Sequence, residues 1–159
     1  ERRRQIGHFE RDLMEGLRGK SAVLVFADRK SRKISLSLVH RHSASVQKSS
    51  LSLVKRQREK VRSITNDNGF EFKPSSITRA EKKLRTKFYY CDPGCPWQRG
   101  TVENVIGILR HYFPKRTDFT NLSKYKLKKV ENLLNNRPRK ILKYKTPSEI
   151  YFSQSRKGR

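Results

Sequence analysis

The sequence predicts an α/β domain, a mixed sheet with helices packed on it. Three observations carry that prediction. Strand-like runs follow one another closely before residue 40, strand and helix then alternate, and amphipathic helical stripes dominate beyond residue 100. Residues 8–14 read as a first strand, ending near a turn at Glu15–Lys20 with Gly16 and Gly19 as breakers. Ser21–Asp28 (SAVLVFAD) is a continuous apolar run, the mark of a strand buried on both faces. Arg29–Arg32 is a basic turn. Ile34–Val39 alternates, with Ile34, Leu36 and Leu38 on one face, and reads as a third strand of an antiparallel meander.

Within Ala44–Lys60, Val46, Leu53 and Val54 fit a helical stripe. Val61–Thr65 returns to strand character and delivers Asp67, with a turn at Asn68-Gly69. Thr78 with Glu81 forms a capping box for a helix through Leu84, and Lys87–Cys91 is a fifth strand, rich in aromatics. Asp92–Gly100, with two Pro and two Gly, is expected to be a loop. Val102, Val105, Ile106, Leu109 and Phe113 then fall on one helical stripe, which Pro114 ends, while Glu103, Gly107 and Arg110 lie on another face. A loop at 115–122 leads to a helix over Ser123–Asn136, with Leu127, Val130 and Leu134 on its stripe. Thr146-Pro147-Ser148-Glu149 combines a capping box with Pro at the first helical position, so a short helix starts there. Residues 1–152 form the expected domain, and 153–159 a mobile basic tail. A five-stranded mixed sheet of this kind points to the ribonuclease H type, although periodicity alone does not fix it.

The charge balance is extreme. Lys and Arg number 39 against 14 Asp and Glu, a formal net charge of +25 at pH 7. Self-repulsion makes such a charge a cost to the compact state, and a polyanion is the usual compensating partner. Phosphate contacts by Lys and Arg supply most non-specific affinity for nucleic acid, so nucleic acid is the first expectation. A membrane partner is disfavoured: no apolar run approaches the ~20 residues of a spanning helix. Cys91 and Cys95, the only cysteines, have no second pair or nearby His to complete a zinc site, and read as two reduced thiols of a cytosolic protein. No signal peptide is visible. The chain opens at Glu1 without a Met, so a fragment is expected.

Against this basic background three acids stand out: Asp12, Asp67 and Glu103, the last two separated by thirty-five residues. Asp12 lies on the first strand, Asp67 follows a strand at a sharp turn, and Glu103 begins a helix with its carboxylate free to point back at the sheet edge. Phosphodiester chemistry needs an activated nucleophile and a stabilised leaving oxygen, and two metals ~3.5–4 Å apart provide both. Magnesium takes hard oxygen ligands and keeps several waters, so two or three carboxylates suffice. Singly, each acid has a plainer reading: Asp67 as a turn residue, Glu103 as a complement to the helix dipole, Asp12 as the partner of one of the many arginines.

Taken together the segments closely resemble the catalytic core of bacterial insertion-sequence transposases of the IS-thirty type, DDE enzymes with a fold similar to retroviral integrases. The resemblance rests on GHFERDLMEG around Asp12 and on Asp67-Asn68-Gly69 with Glu71-Phe72. It continues in the run from Cys91-Asp92-Pro93 through Pro96-Trp97-Gln98-Arg99-Gly100, Glu103-Asn104 and Leu109-Arg110 to Tyr112-Phe113-Pro114-Lys115. Leu134-Asn135-Asn136-Arg137-Pro138-Arg139-Lys140 and Tyr144-Lys145-Thr146-Pro147 also look like family motifs. It implies that Asp12, Asp67 and Glu103 form a catalytic triad binding Mg2+ or Mn2+, two ions in all. It also implies that Arg110 is a retained basic residue set to hold DNA phosphate, and that the protein frees a 3′-hydroxyl at an element's end and joins it to target DNA. The implied partners are transposon ends and target DNA, the implied assembly a homodimer or higher oligomer on DNA, and the implied place the bacterial cytoplasm, with the nucleoid. The resemblance also implies an N-terminal helix-turn-helix region, which is expected to lie outside this fragment.

Departures are few. Phe9 stands where Trp is usual, Arg11 where Gly is usual, and Phe70 and Lys73 differ from the pattern after the second acid. On a strand, Arg11 points away from Asp12, so tolerance is expected. In the 92–100 segment Trp97, Gln98 and Arg99 are candidate DNA contacts, with Trp97 stacking on a base or, alternatively, packing on the sheet edge. Arg99 is expected on phosphate. Glu10, facing the same way as Asp12, is expected in a salt bridge to a nearby Arg, and Asp92 is expected to order the loop. Two rival readings are a nuclease of the same fold that does not join strands and a non-catalytic, basic DNA-binding remnant of a transposase.

Overall fold

A computed structural model describes residues 4–17, 21–57, 61–69, 72 and 86–155. Five strands form one sheet: β1 (His8–Glu15), β2 (Ser21–Asp28), β3 (Ile34–His40), β4 (Ser63–Asn66) and β5 (Lys87–Tyr90). Their order is β3-β2-β1-β4-β5, antiparallel from β1 through β3 and parallel from β1 through β5. The meander and the mixed sheet are as the sequence predicts. The helices are α1 (Ser43–Arg56), α2 (Gly100–Leu109), α3 (Lys124–Asn135) and α4 (Pro147–Ser155). The helix expected between Thr78 and Leu84 lies outside the described residues. No helix among the described residues is long and apolar enough to cross a membrane.

Two apolar layers sandwich the sheet, and β2 feeds both. Val23, Val25 and Ala27 enter a cluster with Val102, Val105 and Leu109 of α2 and Leu127, Val130 and Leu134 of α3. Ala22, Leu24 and Phe26 enter the opposite cluster, with Val46 and Leu53 of α1 and Tyr151 of α4. Six consecutive apolar side chains buried on alternating faces account for the unbroken hydrophobic run of that strand. On β1 the same alternation sends Phe9 into the α1/α4 layer, stacked on Phe26 with ring centroids 4.5 Å apart, and Met14 into the α2/α3 layer. Glu10 and Asp12 share the parity of Met14, and so face α2.

Three local features differ from the sequence reading. The fourth strand is Ser63–Asn66, shifted toward Asp67. The segment expected to be a loop as far as Gly100 instead forms a 3₁₀ turn over Pro96–Arg99 that runs directly into α2. Pro96 presets the first φ of that turn. Helix α4 continues to Ser155, past residue 152, and 156–159 lie outside the described residues. Its capping box forms as predicted: Glu149 N–H donates to Thr146 Oγ1 at 3.1 Å and Thr146 N–H to Glu149 Oε2 at 2.7 Å. Where β1 ends, Gly16 permits close packing, since a Cβ there would sit 2.3 Å from the Thr117 carbonyl oxygen and 2.6 Å from the Phe119 ring.

Candidate active site

Parallel pairing of β1 with β4 sets the site. The register matches Phe9 with Ile64 and Glu10 with Thr65, and its continuation brings Asp67 beside Asp12. Asp67 leaves β4 in a turn closed by its own carboxylate, which accepts from Gly69 N–H at 2.9 Å. Asn68 ties that turn to the end of β5, donating to the Cys91 carbonyl at 2.9 Å. Glu103 lies in the first turn of α2, half exposed.

The helix reaches the sheet through Glu10. Its buried carboxylate accepts from Thr101 N–H and Val102 N–H, both at 2.8 Å on Oε2, while Oε1 pairs with Arg29 Nε at 3.0 Å. Free N–H groups and the positive end of the dipole make a helix N-terminus a natural seat for a carboxylate. Arg32 adds a second clamp, donating to Thr101 Oγ1 at 2.8 Å. The expected salt bridge of Glu10 to a nearby arginine is present. Its hold on the α2 N-terminus was not legible in sequence, because ninety-one residues separate Glu10 from Thr101.

The three acids meet around a cation. Arg99 Nη1 lies 2.9 Å from Asp12 Oδ2 and 3.7 Å from Asp67 Oδ2, and Nη2 lies 4.0 Å from Glu103 Oε1. Burial pushes the Asp12 carboxyl above its ordinary pKa, only partly offset by the Arg99 charge and the Leu13 N–H. For Arg99, burial works against the charge, but Asp12 and Asp67 outweigh it and the pKa is raised. Among the described residues no three His, Cys, Asp or Glu groups close tightly enough to ligate one ion, since the guanidinium spaces the carboxylates apart. Sequence reasoning assigned Arg99 to DNA phosphate; in the structure it is the partner of the acids. The i, i+4 spacing to Glu103 was the one sequence signal of this.

The other candidates are placed differently. Trp97 is 71% exposed, which overturns the alternative that it packs on the sheet edge: its position in the 3₁₀ turn carries the ring outward. Gln98 and Asp92 pair reciprocally, Gln98 Nε2 donating to Asp92 Oδ2 at 2.8 Å and Asp92 N–H to Gln98 Oε1 at 3.0 Å, so Asp92 orders the segment as expected. Arg110 donates to the Glu15 carbonyl at 2.7 Å, three residues beyond Asp12 along β1. Cys91 and Cys95 are both free thiols, and with Asp67, Asp92 and Arg99 they line an open groove. Burial raises the Cys91 pKa.

Arg11 takes the opposite face of β1. It points away from Asp12, as the strand alternation predicts, into a fully buried space. There Nε donates to Asn66 Oδ1 at 2.9 Å, Nη1 donates to Ser50 Oγ at 2.7 Å, and the guanidinium carbon lies 4.2 Å from the Phe72 ring centroid.

No protein-family model matches the chain. Curated relatives do. The transposase InsI for insertion sequence element IS30C of Escherichia coli is 43% identical over 155 residues, which cover 93% of this chain and 38% of that protein. The transposase for IS4351 of Bacteroides fragilis is 36% identical over 152 residues, 95% of this chain and 46% of the relative. The transposase for IS1086 of Cupriavidus metallidurans is 37% identical over 149 residues, 91% and 42%. The chain thus spans less than half the length of each. Among solved structures, the catalytic core domain of BIV integrase matches with a TM-score of 0.70 at 19% identity, covering 95% of this chain and 97% of that one. A chain of a simian T-cell lymphotropic virus intasome matches with a TM-score of 0.74 at 21% identity, covering 91% and 53%. The fold is therefore the ribonuclease H-like fold of integrase catalytic cores, and over the segment it spans the chain is similar to transposases of IS30-type insertion sequences.

Proposed function

We propose that this domain is the catalytic core of a DDE transposase, which cuts DNA at the ends of a mobile element and joins the freed end to target DNA. The observation that carries the reading is the convergence of Asp12, Asp67 and Glu103, from β1, the β4 end and α2, on one guanidinium. Those acids are an all-oxygen donor set that already collects a cation, and this fits Mg2+ or Mn2+. Divalent ions, when bound, would supply activation of the attacking oxygen and stabilisation of the leaving one.

The chain's own residues do the rest. Asp12 and Asp67 sit side by side because β1 and β4 pair in parallel, so their spacing is fixed by the sheet. Glu10 clamps the start of α2 and thereby holds Glu103 against them. In the first step water attacks the phosphorus at the element's end, the P–O3′ bond breaks, and a 3′-hydroxyl and a 5′-phosphate are released. In the second that hydroxyl attacks a target phosphodiester, and the displaced 3′-oxygen leaves with a proton. Basic side chains bind the duplex phosphates. Two element ends call for two active sites, so the proposed working state is a homodimer or higher oligomer on DNA.

The test is a nicking and strand-transfer assay in Mn2+ on labelled branched DNA, beside Glu103→Gln. Cleavage or joining by the wild type and neither by the variant supports the reading. Equal cleavage by both removes Glu103 from the site. Salt-sensitive DNA binding without cleavage, also in a longer protein spanning the full length of the relatives, would leave a DNA-binding remnant.

A further inference from the structure

We propose that Arg99 is a built-in counter-ion of the acidic triad, displaced when a divalent cation binds, and that its departure moves the Pro96–Arg99 turn while leaving α2 in place. The inference rests on the reading of Asp12, Asp67 and Glu103 as metal-holding acids.

Three observations lead to it. The first is the contact itself. One guanidinium lies within 4.0 Å of all three carboxylates, at a side chain only 14% exposed. Three carboxylates drawn together repel one another, and a single cation among them relieves that repulsion. A divalent ion needs oxygen ligands at about 2.0–2.1 Å. It therefore competes with Nη1 for Asp12 Oδ2 and repels the guanidinium as a like charge.

The second is the nature of the hold. Nη1 is buried and lies 2.9 Å from Asp12 Oδ2, with the other two carboxylates within 4.0 Å of the same guanidinium. The hold is an ion-pair cluster, and a charge contact can be taken over by another cation. The third is the separation of anchors. Glu10 and Arg32 fix Thr101 and Val102, the start of the helix that carries Glu103. Arg99 lies just before that clamp, in a four-residue turn tied further by the exposed Asp92–Gln98 pair and by Gln98 N–H donating to the Cys95 carbonyl at 3.2 Å. Trp97 in the same turn is largely exposed and loses little packing if the turn shifts.

Such an arrangement keeps the acids apart and partly compensated until metal arrives, and then releases a cation at the mouth of a site meant for a polyanion. It also provides a reporter, because Trp97 is the only tryptophan in the chain.

The experiment measures metal binding, not turnover. Bound Mn2+ is quantified by electron paramagnetic resonance on the whole chain as wild type, Arg99→Gln, Arg99→Lys and Asp12→Asn, with circular dichroism to check folding. Mg2+ is titrated against tryptophan fluorescence in the wild type. Losing one competing charged contact is expected to tighten Mn2+ binding by Arg99→Gln about tenfold to a hundredfold. Arg99→Lys, which keeps the charge, stays near the wild type, Asp12→Asn loses binding, and Mg2+ shifts the wild-type emission. If Arg99→Gln binds Mn2+ no more tightly while Asp12→Asn still loses it, the counter-ion is overturned and the triad stands. If Arg99→Gln misfolds, an unchanged Trp97 emission in metal-saturated wild type overturns the proposal by itself. If no variant binds Mn2+, the counter-ion and the triad fall together.

Discussion

Two arginines flank β1 on opposite faces, and their surroundings differ in kind. Arg11 is buried against neutral partners, the Asn66 amide oxygen, the Ser50 hydroxyl and the Phe72 ring, and burial pushes its pKa down to about 9. Arg99 is held by three carboxylates, of which Asp12 and Asp67 push its pKa up in spite of burial. The first is fixed by well-directed bonds and fills space in a packed layer. The second is fixed by charge at the edge of a groove. The same side chain serves as core packing in one place and as an exchangeable ion in the other. The alternation of one strand separates the two environments.

The largest expected effect breaks the ionic side. Asp12→Asn is expected to lower strand cleavage on the order of a thousandfold while DNA binding, measured by gel shift, stays nearly constant. Retained cleavage would remove Asp12 from the proposed triad. The neutral side is broken by stability. Arg11→Ala leaves a cavity and strips Asn66 and Ser50 of a donor, a loss of about 3 kcal/mol in urea unfolding. Arg11→Met fills the space without a charge to desolvate and is expected to cost about 1 kcal/mol or less. Equal costs for the two would mean that the directed bonds, and not the packing, hold Arg11.

A third substitution tests what ties the two faces to the site. Glu10→Ala removes the carboxylate that Arg29 pairs with and frees the N–H groups of Thr101 and Val102, for an expected loss of about 3 kcal/mol in denaturant titration. Near wild-type stability would show that Arg32 alone holds the helix. The smallest effect concerns Lys33, a half-buried cation on the same face as Arg11. It donates to Gln57 Oε1 at 3.2 Å and lies 4.6 Å from the Tyr151 ring centroid. Burial lowers its pKa, with Glu131 opposing. Below the lowered value the group is charged in both states and its burial costs stability. Between that value and the ordinary 10.5 the unfolded chain binds more protons, so stability contributed by this group rises with pH. Lys33→Met is expected to flatten that rise in thermal melts between neutral and alkaline pH, and an unchanged slope would show that Lys33 is not its source.

Much of this molecule follows from local pattern. The double-faced burial of β2, the α2 stripe from Val102 to Leu109 and the Thr146–Glu149 capping box depend mostly on neighbours within a few residues, and each forms as predicted, although the helix ends at Leu109 and leaves Phe113, expected on the same helix, beyond it. The 92–100 segment misled because Pro and Gly signal irregular backbone, whereas here Pro96 opens a 3₁₀ turn and Gly100 begins a helix. The three acids stood out because the chain is so basic and because they resemble a family pattern.

Sequence alone determined most strand and helix positions and most residues of the core, and its charge sum is what raises the expectation of a polyanion. Periodicity and charge are properties of short stretches and of sums. The tertiary structure alone decided that Arg99 stands between Asp12, Asp67 and Glu103, that Glu10 caps α2, and that Arg11 is buried against Asn66 and Ser50. Those contacts depend on the register of β1 against β4 and on the seating of a helix ninety residues away, and no local pattern encodes either.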